Sequence, residues 1–277
     1  MLTYITMRIL QSIPVLLIVS FLTFSILYLL PGDPVELMLA EVGADKATME
    51  QLRDTLGLND PFHVQYGRFL FKAVQGDFGR SIRSKRPVLE TIMSQLPATI
   101  QLTVAAMGFA VIFGVLFGTI AALRHNSWID NLVMTTAVIG VSMPIFWQGL
   151  LLIFVFSVQL RWLPITGEGG YARLILPAFA LGTGAMGTIA RLTRSSTLEV
   201  LRQEYITTAR SKGLRERTVL VRHALRNGLI PVVTVVGLQF GALLGGAVII
   251  ETVFARQGVG HLIVDAINFK DFPLVQG

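Results

Sequence analysis

The chain has 277 residues, of which 53% are hydrophobic and only 14% charged, and its mean hydropathy is +0.65. Soluble globular domains carry roughly 25% charged residues, so a soluble enzyme is a poor fit. The chain contains no cysteine, which excludes disulfide bonds, thiolate metal ligands and a cysteine nucleophile. Its net charge is +6, from 23 basic and 17 acidic residues. Residues 191–226 hold nine of the basic and three of the acidic residues, which leaves fourteen of each elsewhere.

Five uncharged runs approach or exceed the length of about 20 residues that crosses a bilayer. They cover residues 9–30, 97–123, 131–160, 174–190 and 227–250. A soluble core rarely holds five such runs, so the sequence predicts an all-α polytopic membrane protein. We expect the first run to be an uncleaved span, because it exceeds the apolar stretch of a signal peptide and no small-residue cleavage site precedes Pro31.

The distribution of positive charge predicts the topology of these spans. Lysine and arginine concentrate in cytoplasmic loops, so residues 191–226 are predicted to face the cytoplasm. By alternation, the N-terminus and residues 124–130 face the cytoplasm too, while residues 31–96, 161–173 and 251–277 lie outside. Five spans leave the C-terminus outside, so either the protein is complete at five spans or a sixth follows residue 277.

The segment 31–96 predicts a small extracytoplasmic helical cap. Residues 49–56 are predicted to form a short helix ending at Gly57, and residues 61–74 a second helix with proline near its first position. A segment of roughly 65 residues with two or three helices hardly forms an independent domain. The predicted organisation is a first helix at 1–30, the outer segment 31–96 and a membrane-spanning core at 97–277.

Two spans carry glycine at every fourth position, which lets membrane helices approach closely. We expect these glycines to make tight helix contacts within the bundle or with a second subunit. They are Gly114 and Gly118 in the second span, and Gly237, Gly241 and Gly245 in the last span.

Several functional classes are disfavoured by absent residues. No run contains Asp, Glu, Lys or Arg, whereas coupled carriers usually place such a residue near the midplane. The sequence has no phosphate-binding G-x-x-x-x-G-K-[ST] loop and no H-E-x-x-H motif, and its four histidines fall in separate loops, so we expect no bound cofactor or metal. A stand-alone secondary carrier is a less favoured alternative. So is an intramembrane hydrolase built on Ser142, because no span holds a histidine base.

The basic segment predicts a helical elbow. Leu198, Leu201, Tyr205 and Ala209 recur at spacings of three and four, which is typical of an amphipathic helix over residues 195–210. Gly213 interrupts the pattern, and residues 216–226 resume it. The residues alone leave three interpretations open: a solvated loop that fixes topology, a surface helix on anionic lipid, or a docking element for a soluble partner. A nucleic-acid patch is disfavoured so close to a bilayer.

Motifs in order along nearly the whole chain resemble bacterial ABC importer permeases of the dipeptide/oligopeptide/nickel subfamily. The basic segment carries the longest match, at residues 191–214 and 222–231. The other motifs are LPGDP at 30–34, GDFGRS at 76–81, PIFW at 144–147, WLP at 162–164, ETVF at 251–254 and DFPLVQG at 271–277.

This resemblance implies a type I ABC importer transmembrane fold with a six-span core, the sixth span lying beyond residue 277. It also implies that the cytoplasmic loop couples to an ATPase. The family's acidic position falls on Thr207, and nothing explains why Gln257 stands where related chains usually have proline. The implied coupling residues are Thr207, Thr208, Ala209, Arg210, Lys212, Gly213 and Leu214.

The resemblance further implies the permease subunit of an ATP-driven importer of short peptides or related small solutes, itself not an enzyme. A nickel or glutathione permease of the same family is the alternative substrate assignment. The implied partners are a second homologous permease, two ATP-binding subunits that hold ATP and magnesium, and an extracytoplasmic solute-binding protein, without nucleic acid. Gln239 and Glu251 are candidate path residues, and Arg210, Lys212, Arg215 and Arg217 are expected to pair with carboxylates on the ATPase.

Overall fold

The computed structural model describes residues 2–29, 47, 49–50, 53, 59–165 and 170–277. The LPGDP motif lies outside these residues, as does most of the predicted helix 49–56. The described residues are almost entirely helical. They form two compact units, Met1–Ser94 with Leu262–Gly277, and Gln95–His261. The predicted boundary at residue 96 lies close to this division, but the C-terminal residues group with the first unit rather than with the core.

The first unit is built on two helices joined by aromatic side chains, α1 (Leu2–Leu29) and α2 (Phe62–Val74). The rings of Phe21 and Phe24 lie edge-on to Phe62, with centroids 5.7 and 5.4 Å apart. The Tyr66 hydroxyl donates to the Leu17 carbonyl at 3.1 Å. The predicted helix at 61–74 is confirmed, with Pro61 as its N-cap residue.

The second unit contains the remaining long helices. Their order is α3 (Val88–Leu123, which starts in the first unit), α4 (Trp128–Ser142), α5 (Ile145–Leu152) with the π-helix Ile153–Gln159, α6 (Ala172–Leu201), α7 (Glu204–Ser211), α8 (Glu216–Thr218) with the π-helix Val219–Leu225, α9 (Arg226–Gly228) and α10 (Ile230–Val253). Two short helices complete the chain, α11 (Val259–Asn268), which starts in the second unit, and α12 (Phe272–Gln276).

Helix α6 is held at close range by its neighbours α3 and α4. A Cβ built on Gly114 of α3 would lie 2.8 Å from Ile189 Cγ2, and one on Gly118 would overlap the Ala190 carbonyl. On the other side, a Cβ on Gly187 of α6 would lie 2.5 Å from the Ala137 carbonyl of α4. Because lipid provides no hydrophobic drive for helix association, such backbone approach supplies the packing energy.

Among the described residues, four helices are long and apolar enough to cross a membrane. They are Ile5–Ser25 within α1, then α3, α6 and α10, and a fifth span results if the bent pair Trp128–Ser142 and Ile145–Gln159 counts as one. The predicted all-α polytopic fold is therefore confirmed. The 17-residue run at 174–190 extends to a helix of 30 residues, because α6 continues beyond its uncharged part.

The predicted third span is not one continuous helix. It bends by 107° between α4 and α5, at Met143 and Pro144. Proline has no N–H to donate, and carbonyls freed inside a membrane must find donors within the protein. The buried side chain of Gln148 supplies them, since its Nε2 donates to Gly140 O at 2.8 Å and to Met143 O at 3.2 Å.

Candidate coupling elbow and its supporting contacts

The basic segment folds into an elbow with two helical arms, α7 and the stretch from α8 to α9. The predicted continuous helix at 195–210 is wrong in one respect, because α6 ends at Leu201 and α7 begins at Glu204. Gln203 between them is extended, with φ −74° and ψ 146°. The first arm is therefore an element of its own rather than the end of a membrane-spanning helix.

The two arms share a small hydrophobic core. Its buried members are Ile206 and Ala209 from the first arm, and Val219 and Ala224 from the second. Tyr205, predicted to lie on the buried stripe, is instead 42% exposed, because the break before α7 rotates the buried face. Packed side chains therefore join the two arms of the elbow.

The tip of the elbow depends on one glycine. Gly213 follows the end of α7 with φ +78°, a left-handed conformation that glycine adopts without the steric cost of a side chain. Its N–H donates to Arg210 O at 2.9 Å, and the Leu214 N–H reaches Ala209 O at 3.4 Å. This arrangement closes the helix end. A Cβ on Gly213 would meet no atom within 4 Å, so the tip is open to a partner.

The predicted coupling residues divide between the elbow's interior and its surface. Ala209 is buried, while Thr207, Thr208, Lys212 and Leu214 are exposed. Leu214 presents an apolar side chain, 40% exposed, beside the glycine turn.

Arg210 already has an anionic partner within the elbow. Its Nε donates to Glu216 Oε1 at 2.7 Å and its Nη2 to Oε2 at 3.3 Å, so this bidentate pair braces the two arms across the tip. The expected contact of Arg210 with an ATPase carboxylate would have to compete with it. Lys212, Arg215 and Arg217 are exposed and remain the cations available at the tip.

The root of the elbow is fixed by contacts along α6. Gly228 of α9 lies against α6, where its Cβ would be 3.4 Å from Thr197 Cα. One turn earlier, Arg194 forms a bidentate ion pair with the buried Asp130 of α4, at 2.5 Å from Nε to Oδ1 and 2.6 Å from Nη2 to Oδ2. Sequence reasoning missed this pair because 64 residues separate its members.

Glu251, a candidate path residue, is fully buried at the end of α10. Its carboxylate accepts hydrogen bonds from Thr99 Oγ1 at 2.6 Å, Gly260 N at 2.7 Å and His261 N at 3.2 Å. The last two donors belong to the first turn of α11, where a negative charge is favourable. In this structure Glu251 anchors α11 and faces no solvent-filled space, whereas the second candidate, Gln239, is half-buried on α10.

The glycine motifs of the two spans behave differently. Gly114 and Gly118 lie against α6, as described above. Gly237, Gly241 and Gly245 of α10 have no atom within 4 Å of a built Cβ. They therefore do not make the predicted packing within the described chain, and contact with a second subunit stays a prediction.

Two motifs from opposite ends of the chain meet in the first unit. The Asp271 carboxylate, which opens the DFPLVQG motif, is buried and accepts from Ser81 Oγ at 2.5 Å and from Ile82 N at 3.0 Å. Ser81 ends the GDFGRS motif. The guanidinium of Arg83 covers the ring of Phe269 at 3.7 Å. Each motif was visible in the sequence, but nothing there indicated that they pair.

A metal site or a hydrolase would need specific side chains in the described part of the chain: a cluster of ligands, or a base beside Ser142. No group of three or more His, Asp or Glu residues able to hold a metal ion occurs in it. Ser142 is the last residue of α4, and the hydrogen bonds of the described residues include none between Ser142 and a histidine.

Family models and relatives cover the whole chain. Residues 114–277 match the model described as "Binding-protein-dependent transport system inner membrane component", and residues 1–103 match its N-terminal companion, "Binding-prot-dependent transport system membrane comp, N-term". The chain is similar to the "Glutathione transport system permease protein GsiC" of Escherichia coli (strain K12) and of Salmonella paratyphi A. Each is 47% identical over 276 residues, which cover 100% of this chain and 90% of the relative.

A solved structure is more distantly similar. It is described as "Crystal structure of an amino acid ABC transporter with histidines", with 18% identity and a TM-score of 0.46 over 68% of this chain and 89% of the other.

The chain belongs to the binding-protein-dependent transport system inner membrane components, in the dipeptide/oligopeptide/nickel subfamily of bacterial ABC importer permeases. It is thus the multi-pass inner-membrane permease subunit of an importer.

Proposed function

We propose that this permease imports short peptides or closely related small solutes, and that glutathione is the first substrate to test. The support is the name carried by relatives at 47% identity over the whole chain, which are glutathione transport permeases. Glutathione is itself a tripeptide, so it falls within the substrate class that the motifs predict.

The assembly that we propose contains a second homologous permease, two ATP-hydrolysing subunits and an extracytoplasmic solute-binding protein. ATP and magnesium reside on the ATPase subunits. The N-terminus and the elbow face the cytoplasm, because residues 191–226 carry the chain's entire net positive charge. The segment 31–96 then lies outside and helps to receive the binding protein.

The observation that supports ATP-driven transport, as distinct from the choice of substrate, is the construction of the elbow. Its arms share a hydrophobic core, its tip is a glycine in a left-handed turn, and its root is ion-paired to the bundle. An ATPase on the cytoplasmic side moves the membrane helices only through a rigid protruding element, because a flexible loop would absorb the displacement. The elbow has this rigidity and exposes Leu214 beside its cations.

Uptake by the reconstituted complex tests the proposed transport. Proteoliposomes containing both permeases and the ATPases would be supplied with binding protein and labelled glutathione, a dipeptide or a nickel chelate. We expect accumulation of glutathione or the dipeptide only when ATP is enclosed with the ATPases. Accumulation of the nickel chelate alone would overturn the peptide assignment.

Two further outcomes would overturn the ATP-driven mechanism itself. Uptake by the purified chain without ATPases, abolished by ionophores, would identify a secondary carrier. Covalent labelling of Ser142 by a fluorophosphonate probe would identify a hydrolase.

A further inference from the structure

The two helices on either side of the bend at Met143 and Pro144, α4 and α5, differ in the helices that they contact. Upstream of the bend, α4 runs antiparallel along α6. Asp130 meets Arg194, the Ala137 carbonyl meets Gly187, and a Cβ on Gly140 would lie 2.9 Å from Thr183 Cγ2. These contacts follow the whole length of α4, so α4 lies against the helix that carries the elbow.

Downstream of the bend, α5 also lies against α10. A Cβ on Gly149 would lie 3.1 Å from Val253 Cγ1 and 3.3 Å from Phe254 Cε2, and one on Gly246 would lie 3.5 Å from Ile145 Cδ1. The bend at Met143 and Pro144 thus separates a helix packed along α6 from a helix that reaches α10. Because α4 and α5 have different contacts and meet at a bend of 107°, they can move relative to each other at this bend.

One polar contact anchors α4 to α6 at the end nearest the elbow. The Asp130 side chain is 2% exposed, and both its oxygens accept from Arg194. The same carboxylate accepts from the Asn126 N–H at 3.0 Å, while the Asp130 N–H donates to the N-cap residue Ser127 at 3.3 Å. His125 Nδ1 lies 3.1 Å from Arg194 Nη2. The loop before α4, the first turn of α4 and the last part of α6 therefore meet at one carboxylate.

We infer that Asp130 and Arg194 are positioning residues for the coupling step, and that their ion pair makes α4 move with α6 and the elbow. This inference rests on the proposed coupling function. Bidentate pairing of a guanidinium with a buried carboxylate fixes orientation as well as distance, so a displacement of α6 carries α4 with it. The movement then reaches the bend at Met143 and Pro144, where α4 gives way to α5.

Spin labels measure whether α4 and α6 move together. Because the chain has no cysteine, Trp128→Cys and Arg202→Cys introduce the only labelling sites of this subunit, one at the start of α4 and one after the end of α6, and they are combined with partner subunits whose cysteines have been replaced. In the assembled transporter we expect one narrow distance distribution that is the same with and without ATP. Adding Asp130→Asn is expected to broaden the distribution and to make it depend on nucleotide.

The transport readout is the number of ATP molecules hydrolysed per solute imported. Asp130→Asn is expected to raise this ratio roughly two- to thirtyfold. Arg194→Lys is expected to raise it by less, because lysine keeps the positive charge but cannot form the bidentate hydrogen bonds of the guanidinium. The matched control is Glu199→Gln, which neutralises an exposed carboxylate on α6 outside the proposed coupling residues and should change neither the ATP ratio nor the label distance.

A merely structural role predicts a different result. In that case Asp130→Asn and Arg194→Lys would lower the yield of assembled transporter, while the assembled fraction kept the original distances and ATP ratio, and this result would overturn the inference. Failure of the proposed coupling function can be told apart from failure of this inference. If the elbow does not couple to an ATPase, a Gly213 variant retains normal coupling. The label distances test the role of Asp130 whether or not the elbow couples.

Discussion

The Thr99 hydroxyl donates a 2.6 Å hydrogen bond to the buried carboxylate of Glu251, across 152 positions of sequence. The same hydroxyl accepts the Val259 N–H at 2.9 Å. Helices α3, α10 and α11 are therefore joined through one carboxylate and one hydroxyl. This explains why an acidic residue sits at the end of an otherwise uncharged span.

We predict that Glu251→Gln destabilises the chain by about 1–3 kcal/mol, because buried donors that now bond to a carboxylate would face an amide instead. The measurement is the midpoint of thermal unfolding in detergent. Glu199→Gln is the matched control, since Glu199 is exposed on α6 and surface changes usually cost less than about 0.5 kcal/mol. Equal effects of the two variants would contradict the anchoring role of Glu251.

The spans were predictable, because a run of uncharged residues has few alternatives to crossing a bilayer as a helix. In the third span, Pro144 predicts a kink or a helix start, but the sequence does not predict a bend of 107°. A proline can start, kink or end a helix, and the choice depends on whether another side chain caps the freed carbonyls. Here Gln148 does so, and its partners Gly140 and Met143 become evident only in three dimensions.

Predictions for the candidate site divide in the same way. The elbow and its glycine turn follow from local pattern, since Gly213 interrupts a periodic helix. The ion pair near its root does not, because Asp130 lies 64 positions from Arg194 and the charge count includes Arg194 only as one of nine basic residues. Glycine spacing alone does not predict which glycines pack against another helix. The spacing is the same around Gly118 and Gly237, but of these two only Gly118 lies against a neighbouring helix of the described chain.

This difference between the two glycines gives a second prediction. Gly118→Ala is expected to destabilise the chain by about 1–3 kcal/mol, because the new methyl group would overlap the Ala190 carbonyl of α6. Gly237→Ala has open space around it and should be neutral or stabilising by up to about 1 kcal/mol. Thermal unfolding of the isolated chain compares them, and a larger loss for Gly237→Ala would contradict the helix packing described here.

The contact between the GDFGRS and DFPLVQG motifs gives a third prediction. Asp271→Asn would weaken the hydrogen bonds that hold Ser81 and Ile82, so the amide protons of residues 82–84 should exchange faster, as measured by hydrogen–deuterium exchange. Asp77→Asn is the control, because Asp77 is exposed and accepts only from Gly79 N at 2.9 Å among the described contacts. Unchanged exchange in Asp271→Asn would show that the carboxylate does not hold this loop.

The cap at the bend gives a fourth prediction. Gln148→Leu preserves size but leaves the carbonyls of Gly140 and Met143 without their side-chain donor. We expect a loss of about 1–3 kcal/mol in stability, read from thermal unfolding. Gln159→Leu, at the exposed end of the π-helix, is the comparison, and an equal loss there would argue against a specific cap.

The central claim is that the elbow couples an ATPase to the bundle, and its most direct test is transport by Gly213→Trp. A large side chain finds open space at this position within the chain, but it would occupy the surface offered to a partner. Gly170→Trp is the control, since Gly170 has φ +92° and is equally open. We predict that Gly213→Trp abolishes ATPase assembly and ATP-driven uptake while Gly170→Trp retains both. Normal assembly and uptake by Gly213→Trp would contradict the account.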